Sequence, residues 1–480
     1  MFSMVTEKHY RPGKFTRFVI YPFGGLLFLA VLTVILIMAQ GYRFTFNGGK
    51  VGLVKTGMLI VTSRPFNGQI FLNGKDSKTL SGFYLLPAKI SGLNPGNYDV
   101  QIKKSGYRTW EDHLEITPNM VTWANYVLLF AEKLNVNKVD VPTGTMIAQS
   151  LNGRHLLFSD SSQSSFTLRS VDTNNLSVKD FWPQTGITDT WLTSPQIVSA
   201  EYSSGNDRLL VMVKNGDKVE SVIADATGSQ PKLTKLSTVL GKNFAESWWN
   251  PSNDNELFMR DGENIYLVNV NDTSLGNPIA TDVVSLNIAD NHLIYYVAKN
   301  ANGTYVLSKM NLDGTQKETL VDSIAPSVSY KIGFSTQNNI VAVLNNDTKE
   351  LNAYYIGNAV KKYSLKMSSD VLGFDWSKNG QKLNYFGTNF VKRYDWEKNK
   401  EVAASLSDIT LSVDWYFDEN HYIVNSDEGL YVIDFDGSNK VSISDGTTVN
   451  SDLDQGNNNI IYSTKSTDNK ISFYRYISEF

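Results

Sequence analysis

The sequence contains no cysteine, which excludes a disulfide framework and any thiolate metal site. Histidine is also scarce: the five histidines are scattered over 480 residues, without a spacing that would turn two of them toward one metal ion. Neither a phosphate-binding glycine loop nor a nucleophilic serine elbow occurs. We therefore expect no cofactor, no metal and no catalytic residue, and we interpret the chain as a non-enzyme.

Charge is absent from one long stretch near the N-terminus. Residues 18–39 are 22 residues without a charged side chain, enough at about 1.5 Å per residue to cross a hydrocarbon core of about 30 Å. The stretch is longer than the apolar core of a secretory signal, and the sequence after it, from Ile37 to Gly41, is a poor cleavage site. These features predict an uncleaved transmembrane signal anchor at 18–40. The alternative is a helix buried in a soluble core.

The charges before the helix predict its orientation. Residues 1–17 carry four basic side chains and one acidic side chain, and positive segments stay on the cytoplasmic side of a membrane. Large folded domains that follow a first helix are usually translocated. We therefore expect 1–17 to be a cytoplasmic tail in a single-pass protein of the cell membrane, with the bulk of the chain extracytoplasmic.

After the helix, the composition becomes that of short β-strands. Residues 41–56 are basic and are interpreted as a linker. Residues 57–130 contain alternating apolar and polar positions, and they include an Asn73-Gly74 step between two such runs. Asn-Gly between alternating runs is a strong hairpin signal. The segment 57–130 is thus predicted to be a small β-sandwich.

Several motifs of this segment resemble the PEGA domain, a small surface β-domain named for a Pro-Glu-Gly-Ala sequence. Pro65-Phe66-Asn67-Gly68 stands at the place of that motif and keeps only its proline. LNGK at 72–75, GLNPGNYDV at 92–100 and Gly106-Tyr107 follow in the family's order. The resemblance implies an extracytoplasmic module for surface attachment or carbohydrate contact, without catalysis. It assigns no binding residues.

Residues 131–480 contain a repeated unit of short strands and Asn, Asp and Gly turns, about 40–45 residues long. Such a period predicts a β-propeller of four-stranded blades, here with eight blades and with seven as the alternative. WSKNGQKL at 376–383 resembles the turn of TolB-type and related WD-repeat-like propellers. The fold class is therefore all-β: a PEGA-like β-sandwich and a β-propeller, preceded by one transmembrane helix. The eight units begin at Ser150, Tyr202, Trp249, Ile288, Phe334, Trp376, Trp415 and Leu453.

The two ends of the repeat region predict how the ring closes. The last unit supplies only three strands before Phe480, whereas 133–142 alternates like a strand and has no blade of its own. We expect 133–142 to be the outer strand of the blade made by 449–477. Such a strap would protect an otherwise open sheet edge.

The longest connection between units, 181–197, contains the candidate ligand-binding residues Phe181, Trp182 and Trp191. Aromatic rings among small polar residues suit stacking on a sugar or anchoring a partner protein. We expect Trp182 and Trp191 to expose a ring face near the channel mouth. The alternative is that both indoles are buried between blades.

Other conspicuous residues are interpreted as structural. The tryptophans that open repeated turns, Trp376, Trp415 and the pair Trp248-Trp249, are predicted to pack between blades. The segments 434–439 and 452–456 resemble calcium loops, but counting from Asp434 places Asn439 and Asp445 where an EF-hand needs Gly and Glu. We expect both segments to be blade turns.

Charge narrows the choice of partner. Residues 131–480 carry a net charge of −12, counting Lys and Arg against Asp and Glu, whereas a nucleic-acid-binding domain needs a basic surface. The first hypothesis is a membrane-anchored binding or scaffolding protein for a cell-envelope polysaccharide or a surface protein. The second is a surface glycoside hydrolase or lyase with carboxylates in the propeller channel. A third, a sensor, would have only a 17-residue tail as its cytoplasmic output.

Overall fold

The computed structural model contains two compact units, one extending through Lys133 and one spanning Leu134–Ser478. Each unit is described by itself. The described residues are 13, 16–39, 41–47, 50–138, 145–150, 154–162, 165–172, 175–183, 187, 190–193, 195–244, 246–272, 275–289, 291–335, 337–357, 364–445, 448–454, 459–465 and 471–478.

One apolar helix stands near the N-terminus. A π-helical turn, Thr16–Ile20, leads into helix α1, Tyr21–Ala39. The segment Phe18–Met38 is long and apolar enough to cross a membrane, and none of its most apolar window is buried. An exposed helix that is apolar on every side suits lipid and not water. This excludes the buried core helix and is consistent with the predicted single-pass anchor.

The segment predicted to be a linker is an antiparallel hairpin, so that prediction is wrong. Strand β1, Tyr42–Asn47, pairs with β2, Lys50–Lys55, over the full length of both strands. The Thr56 N–H donates a hydrogen bond of 2.8 Å to the Gly41 carbonyl oxygen at the open end of the hairpin. The alternation in β1 and the Asn-Gly-Gly sequence after its aromatic residues were the available signals.

The rest of the first unit is a sandwich of two sheets that share one apolar core. Leu59, Ile70 and Trp110 are buried between the sheets. Asn73 and Gly74 both have positive φ values and join two paired strands, as the Asn-Gly step predicted. The seven strands are β3 (Gly57–Arg64), β4 (Gln69–Leu72), β5 (Lys75–Leu80), β6 (Ala88–Leu93), β7 (Gly96–Lys103), β8 (Trp110–Ile116) and β9 (Val121–Leu128). One sheet has the strand order β6–β3–β9, and the other has the order β5–β4–β7–β8.

The described residues of the second unit form eight antiparallel sheets in chain order, which we number sheets 1 to 8. Two short helices, α2 (Thr190–Thr193) and α3 (Leu236–Leu240), lie in connections. Sheet 1 consists of β11 (Thr145–Gln149), β12 (His155–Ser162), β13 (Ser165–Asp172) and β14 (Val178–Asp180), and sheet 2 of β15 (Gln196–Tyr202), β16 (Arg208–Asn215), β17 (Lys218–Asp225) and β18 (Lys232–Lys235). Sheet 3 consists of β19 (Glu246–Asn250), β20 (Asn253–Asp261) and β21 (Asn264–Asn269), and sheet 4 of β22 (Val283–Ile288), β23 (Leu293–Lys299), β24 (Tyr305–Asn311) and β25 (Glu318–Ile324).

Sheets 5 to 8 continue the pattern, and the last one takes its fourth strand from the start of the unit. Sheet 5 consists of β26 (Tyr330–Ser335), β27 (Ile340–Asn345), β28 (Leu351–Tyr355) and β29 (Ser364–Ser368), and sheet 6 of β30 (Gly373–Trp376), β31 (Lys382–Gly387), β32 (Phe390–Asp395) and β33 (Lys400–Ser405). Sheet 7 consists of β34 (Thr410–Trp415), β35 (His421–Ser426), β36 (Gly429–Asp434) and β37 (Val441–Asp445), and sheet 8 of β38 (Thr448–Asp454), β39 (Asn459–Lys465), β40 (Ile471–Tyr476) and β10 (Val136–Lys138).

The strap predicted for the last sheet is confirmed at β10. Val136 lies opposite Tyr476 and Lys138 opposite Tyr474, so β10 covers the outer edge of β40. Residues 139–142 of the predicted strap lie outside the described residues. This pairing joins the first strand of the second unit to its last strand.

Apolar contacts between neighbouring sheets close the ring. Sheets 1 to 7 share a buried cluster at each of their junctions. Ile461 of sheet 8 packs with Met146 and Phe158 of sheet 1, and the Tyr462 hydroxyl of sheet 8 donates to the Ile443 carbonyl oxygen of sheet 7 at 3.3 Å. Each sheet thus packs on the next and the last on the first, the arrangement of a β-propeller.

Candidate ligand-binding cavities of the propeller

The first strand of each sheet lies at the centre of the propeller. First strands of neighbouring sheets contact one another, as β15 does with β11 and β19, and β26 does with β22 and β30. The connections toward this centre are where propellers commonly bind ligands. Side chains on the first strands are therefore the candidates for a functional site.

Two cavities open around Trp248 on the first strand of sheet 3. One has a volume of about 350 Å³ and is also lined by Asn287 and His292. The other has a volume of about 510 Å³ and is also lined by Glu246. Both cavities share Glu201 and Trp248. An apolar ring is thus bordered by carboxyl, amide and imidazole groups, which is typical of a small-ligand site.

Trp248 and its neighbour Trp249 have different surroundings. Trp249 is buried, and its indole N–H donates to the Glu201 carbonyl oxygen at 3.3 Å. Trp415 makes the equivalent bond to Asp375 at 3.4 Å, so the predicted packing between blades is confirmed for both. Trp248 packs against the core of sheets 3 and 4, as predicted, but it is only half-buried and also lines both cavities. The signal that could have identified it is the extra aromatic residue before the repeated tryptophan position.

Glu201 has an unusual protonation equilibrium. Burial raises the pKa of this carboxyl to about 7, although the Trp249 backbone N–H donates to its Oε2 at 3.2 Å and opposes the shift. A carboxyl that titrates near neutral pH can either donate or accept a hydrogen bond there. Glu201 is thus suited to contact a ligand hydroxyl in either role.

Two further carboxyls lie on the first strands of sheets 6 and 7. Burial in the crowded channel, together with the nearby Asp414 carboxylate, raises the pKa of Asp375 to about 6, while Lys331 opposes the shift. Burial also raises the pKa of Asp414, again against the charge of Lys331. Both aspartates keep exposed surface. The channel therefore holds two interacting carboxyls with one cation beside them.

The buried histidine of sheet 7 has a structural role. His421 has no exposed surface, and its ring nitrogens lie 2.7 Å from Asp418 Oδ2 and 2.9 Å from Asp434 Oδ1. Burial alone would lower the pKa of His421, but the two carboxylates outweigh it and raise the pKa to about 10. Asp434, the first residue of a calcium-like segment, also accepts a hydrogen bond from the Asn439 amide at 2.9 Å. This segment is a turn, as predicted.

Metal ligation has no candidate in the part of the chain that the structure describes. No group of three or more His, Asp or Glu side chains is placed there to hold an ion. Of the second calcium-like segment, Asp452–Asp454 belong to strand β38, so the expectation of a blade turn is wrong for these residues. Residues 455 and 456 lie outside the described residues.

The aromatic residues predicted to bind a ligand occupy different surroundings from those expected. Phe181 and Trp182 are buried in the core between sheets 1 and 2. The Trp182 indole N–H donates to the Leu192 carbonyl oxygen at 3.0 Å, and its ring meets Phe166 edge to face. The expectation of an exposed ring face at Trp182 is therefore wrong, because the rings of Phe181 and Trp182 pack into the core between sheets 1 and 2. The side chain of Trp191 lies outside the described residues.

Comparisons with solved structures return matches of low sequence identity. The chain is similar to a structure titled Dos1 propeller, with 11% identity, coverage of 72% of this chain and 95% of that chain, and a TM-score of 0.48. It is also similar to dipeptidyl peptidase 4 of Porphyromonas gingivalis, with 13% identity, 71% and 58% coverage and a TM-score of 0.49. An oligogalacturonate lyase in complex with manganese gives 11% identity, 71% and 99% coverage and a TM-score of 0.42.

Comparison with protein families gives one match in the first unit. No curated protein matches the chain. Residues 56–129 match the family model of the PEGA domain. This segment covers the sandwich β3–β9 and agrees with the resemblance found at 57–130, so the sandwich is similar to PEGA domains.

Proposed function

We propose that this protein is a membrane-anchored extracytoplasmic binding protein whose propeller recognises a cell-envelope polysaccharide. The apolar helix would hold the protein at the cell membrane, and the PEGA-like sandwich follows the helix and precedes the propeller along the chain. A PEGA-like domain and a propeller fit a surface binding or scaffold role. The observation that carries the proposal is the half-buried Trp248 between two cavities that contain carboxyl and amide groups.

The chemistry around Trp248 supports a sugar ligand. A pyranose ring has an apolar C–H face and a rim of hydroxyls, and an indole beside polar side chains is complementary to both. Glu201 and Glu246 lie in the same cavities as Trp248 and can accept hydrogen bonds from hydroxyls. Asn287 adds an amide.

Charge narrows the class of sugar. Among the described residues, the two cavities are lined by Glu201 and Glu246 but by no Lys or Arg, and the Arg260 guanidinium lies 3.5 Å from the Glu246 carboxylate. The propeller as a whole is acidic. A polyanionic polymer would be repelled by this field, so we propose a neutral or amine-bearing polysaccharide as the ligand.

The test is co-sedimentation of the purified full chain, in detergent micelles, with insoluble cell-envelope polysaccharide. We expect Trp248→Ala to weaken binding at least tenfold, because removal of an aromatic anchor at the centre of a site typically costs 2 kcal/mol or more. Glu246→Gln is a smaller change that keeps the shape of the side chain, and a severalfold loss is expected.

Trp123→Ala is the matched control, since Trp123 is an exposed tryptophan of the sandwich and lines neither cavity. Thermal unfolding of each variant separates loss of binding from loss of fold. Equal binding by wild type and a folded Trp248→Ala variant would refute the proposed site.

Asp375 and Asp414 favour a second candidate, a glycoside hydrolase or lyase in the same channel. Glycosidases pair a carboxylic acid of raised pKa with a second carboxylate, and burial raises the pKa of both side chains here. If the chain is such an enzyme, release of reducing ends from envelope polysaccharide will be lost in Asp375→Asn. Binding without release of reducing ends, in wild type and variant alike, supports the binding function.

A further inference from the structure

One cavity of the first unit lies at the end of the apolar helix. It has a volume of about 860 Å³ and is lined by Met38 of α1, by Arg43 and Lys55 of the hairpin β1–β2, and by Met58, Met120 and Val121 of the sandwich. All three elements belong to the same compact unit. The cavity is thus built jointly by the helix, the hairpin and the sandwich.

The position of Met38 sets the depth of this cavity in a membrane. Helix α1 has 19 residues, which at about 1.5 Å per residue gives a length close to that of a hydrocarbon core. Met38 is one residue from the end of α1. A cavity at this point lies where hydrocarbon gives way to lipid head groups, whichever side of the membrane the N-terminus occupies.

The cavity is positively charged. Arg43 and Lys55 are exposed at its wall, and the described residues that line it include no Asp or Glu. The Arg43 Nη1 donates to the Gly92 carbonyl oxygen at 3.0 Å, which fixes the guanidinium group. The Lys55 ammonium lies 5.4 Å from the centre of the Tyr42 ring. In the hairpin Lys55 lies opposite Tyr42 and Arg43 opposite Val54, so the two side chains leave opposite faces of the strands. Together they give the cavity a positive field that attracts a phosphate group.

Apolar side chains stand next to the cations. Met120 and Val121 line the cavity and are exposed to solvent. Trp123, two residues further along β9, is also exposed, and residues two apart in a strand share one face. Exposed tryptophan is favoured at the boundary between lipid and water. The ligand should therefore have an apolar part beside its phosphate.

We propose that this cavity binds the phosphate of an anionic phospholipid, attracted by the positive charges of Arg43 and Lys55, and so holds the sandwich against the bilayer surface. The site does not depend on what the propeller binds. A free phosphate would use the two cations but gain nothing from the exposed Met120, Val121 and Trp123, so the lipid is favoured.

The experiment measures lipid retained by the full chain in detergent micelles, by native mass spectrometry. We expect more retained phosphatidylglycerol than phosphatidylcholine in wild type. The double variant Arg43→Gln/Lys55→Gln should bind phosphatidylglycerol about 25-fold more weakly, because each cation near a lipid surface contributes about a factor of five. Arg43→Lys keeps the charge and should retain most of the binding.

The control variant Lys75→Gln/Arg108→Gln removes the same charges from exposed positions outside the cavity. It should bind phosphatidylglycerol like wild type, with unchanged thermal unfolding in both double variants. Equal losses in the two double variants, or no loss in either, would overturn the proposal. Displacement of phosphatidylglycerol by inorganic phosphate at equal concentration would also overturn it, in favour of a free-phosphate site.

Discussion

At the scale of single residues, neighbours in one strand have separate roles because successive side chains of a strand face opposite ways. Trp249 is buried and hydrogen-bonded between sheets 2 and 3, whereas Trp248 lines two cavities. The repeat pattern predicted that both tryptophans pack between sheets, which they do, but it did not predict that Trp248 also borders two cavities. Trp182 gives the converse case, since its buried position depends on how a long connection folds back onto sheets 1 and 2. No local pattern contains that information.

His421 provides a test of the residue-scale electrostatics. Its folded pKa is raised to about 10 by Asp418 and Asp434, against burial, whereas an unfolded histidine titrates near pH 6.5. The stabilisation is therefore fully present below about pH 6.5 and is lost as the pH rises through about 10. We expect the free energy of unfolding of wild type, measured with urea, to fall between pH 6.5 and 10.

The variant His421→Gln has no titrating ring, so its free energy of unfolding should lack this part of the pH dependence. It should also be less stable than wild type at pH 6 by about 3–5 kcal/mol, because it leaves two buried carboxylates without their cation. If the difference in the free energy of unfolding between wild type and His421→Gln stays constant from pH 6 to 10, His421 is not cationic in the folded protein.

At the scale of elements, the sequence was informative wherever local pattern and repeat period agreed. The Asn73-Gly74 hairpin and the strap β10 could both be predicted, the second because a three-stranded last unit leaves one strand position open. The hairpin β1–β2 was missed because its basic composition resembles that of a linker, although its Asn-Gly-Gly sequence and its alternation indicate strands. The cavities could not be predicted, because they join strands that are distant in the chain.

The strap offers a test of ring closure. Replacing Val136–Lys138 by Gly-Ser-Gly should expose the outer edge of β40 and lower the unfolding temperature of the whole propeller by several degrees, because β10 links the first and last parts of the unit. The control is the same replacement at Val178–Asp180, the exposed outer strand of sheet 1, which joins no chain ends. Equal effects of the two replacements would indicate that β10 is an ordinary edge strand.

At the scale of the whole molecule, the chain combines an apolar helix, a PEGA-like sandwich and an acidic propeller. The positive residues before the helix predict that residues 41–480 lie outside the cytoplasm. Protease added to intact cells should then digest the propeller and spare an epitope fused to the N-terminus. Full protection of residues 131–480, with digestion after the membrane is permeabilised, would contradict this orientation.

The most direct test of the central claim is a cryo-electron microscopy map of the full chain in a nanodisc with an excess of oligosaccharide released from the cell envelope. The proposed function predicts sugar density on the indole of Trp248, with hydroxyls near Glu201 and Glu246, and the same density absent from a Trp248→Ala map. Oligosaccharide density between Asp375 and Asp414, or on the sandwich, with the Trp248 cavities free of it, would contradict the claim.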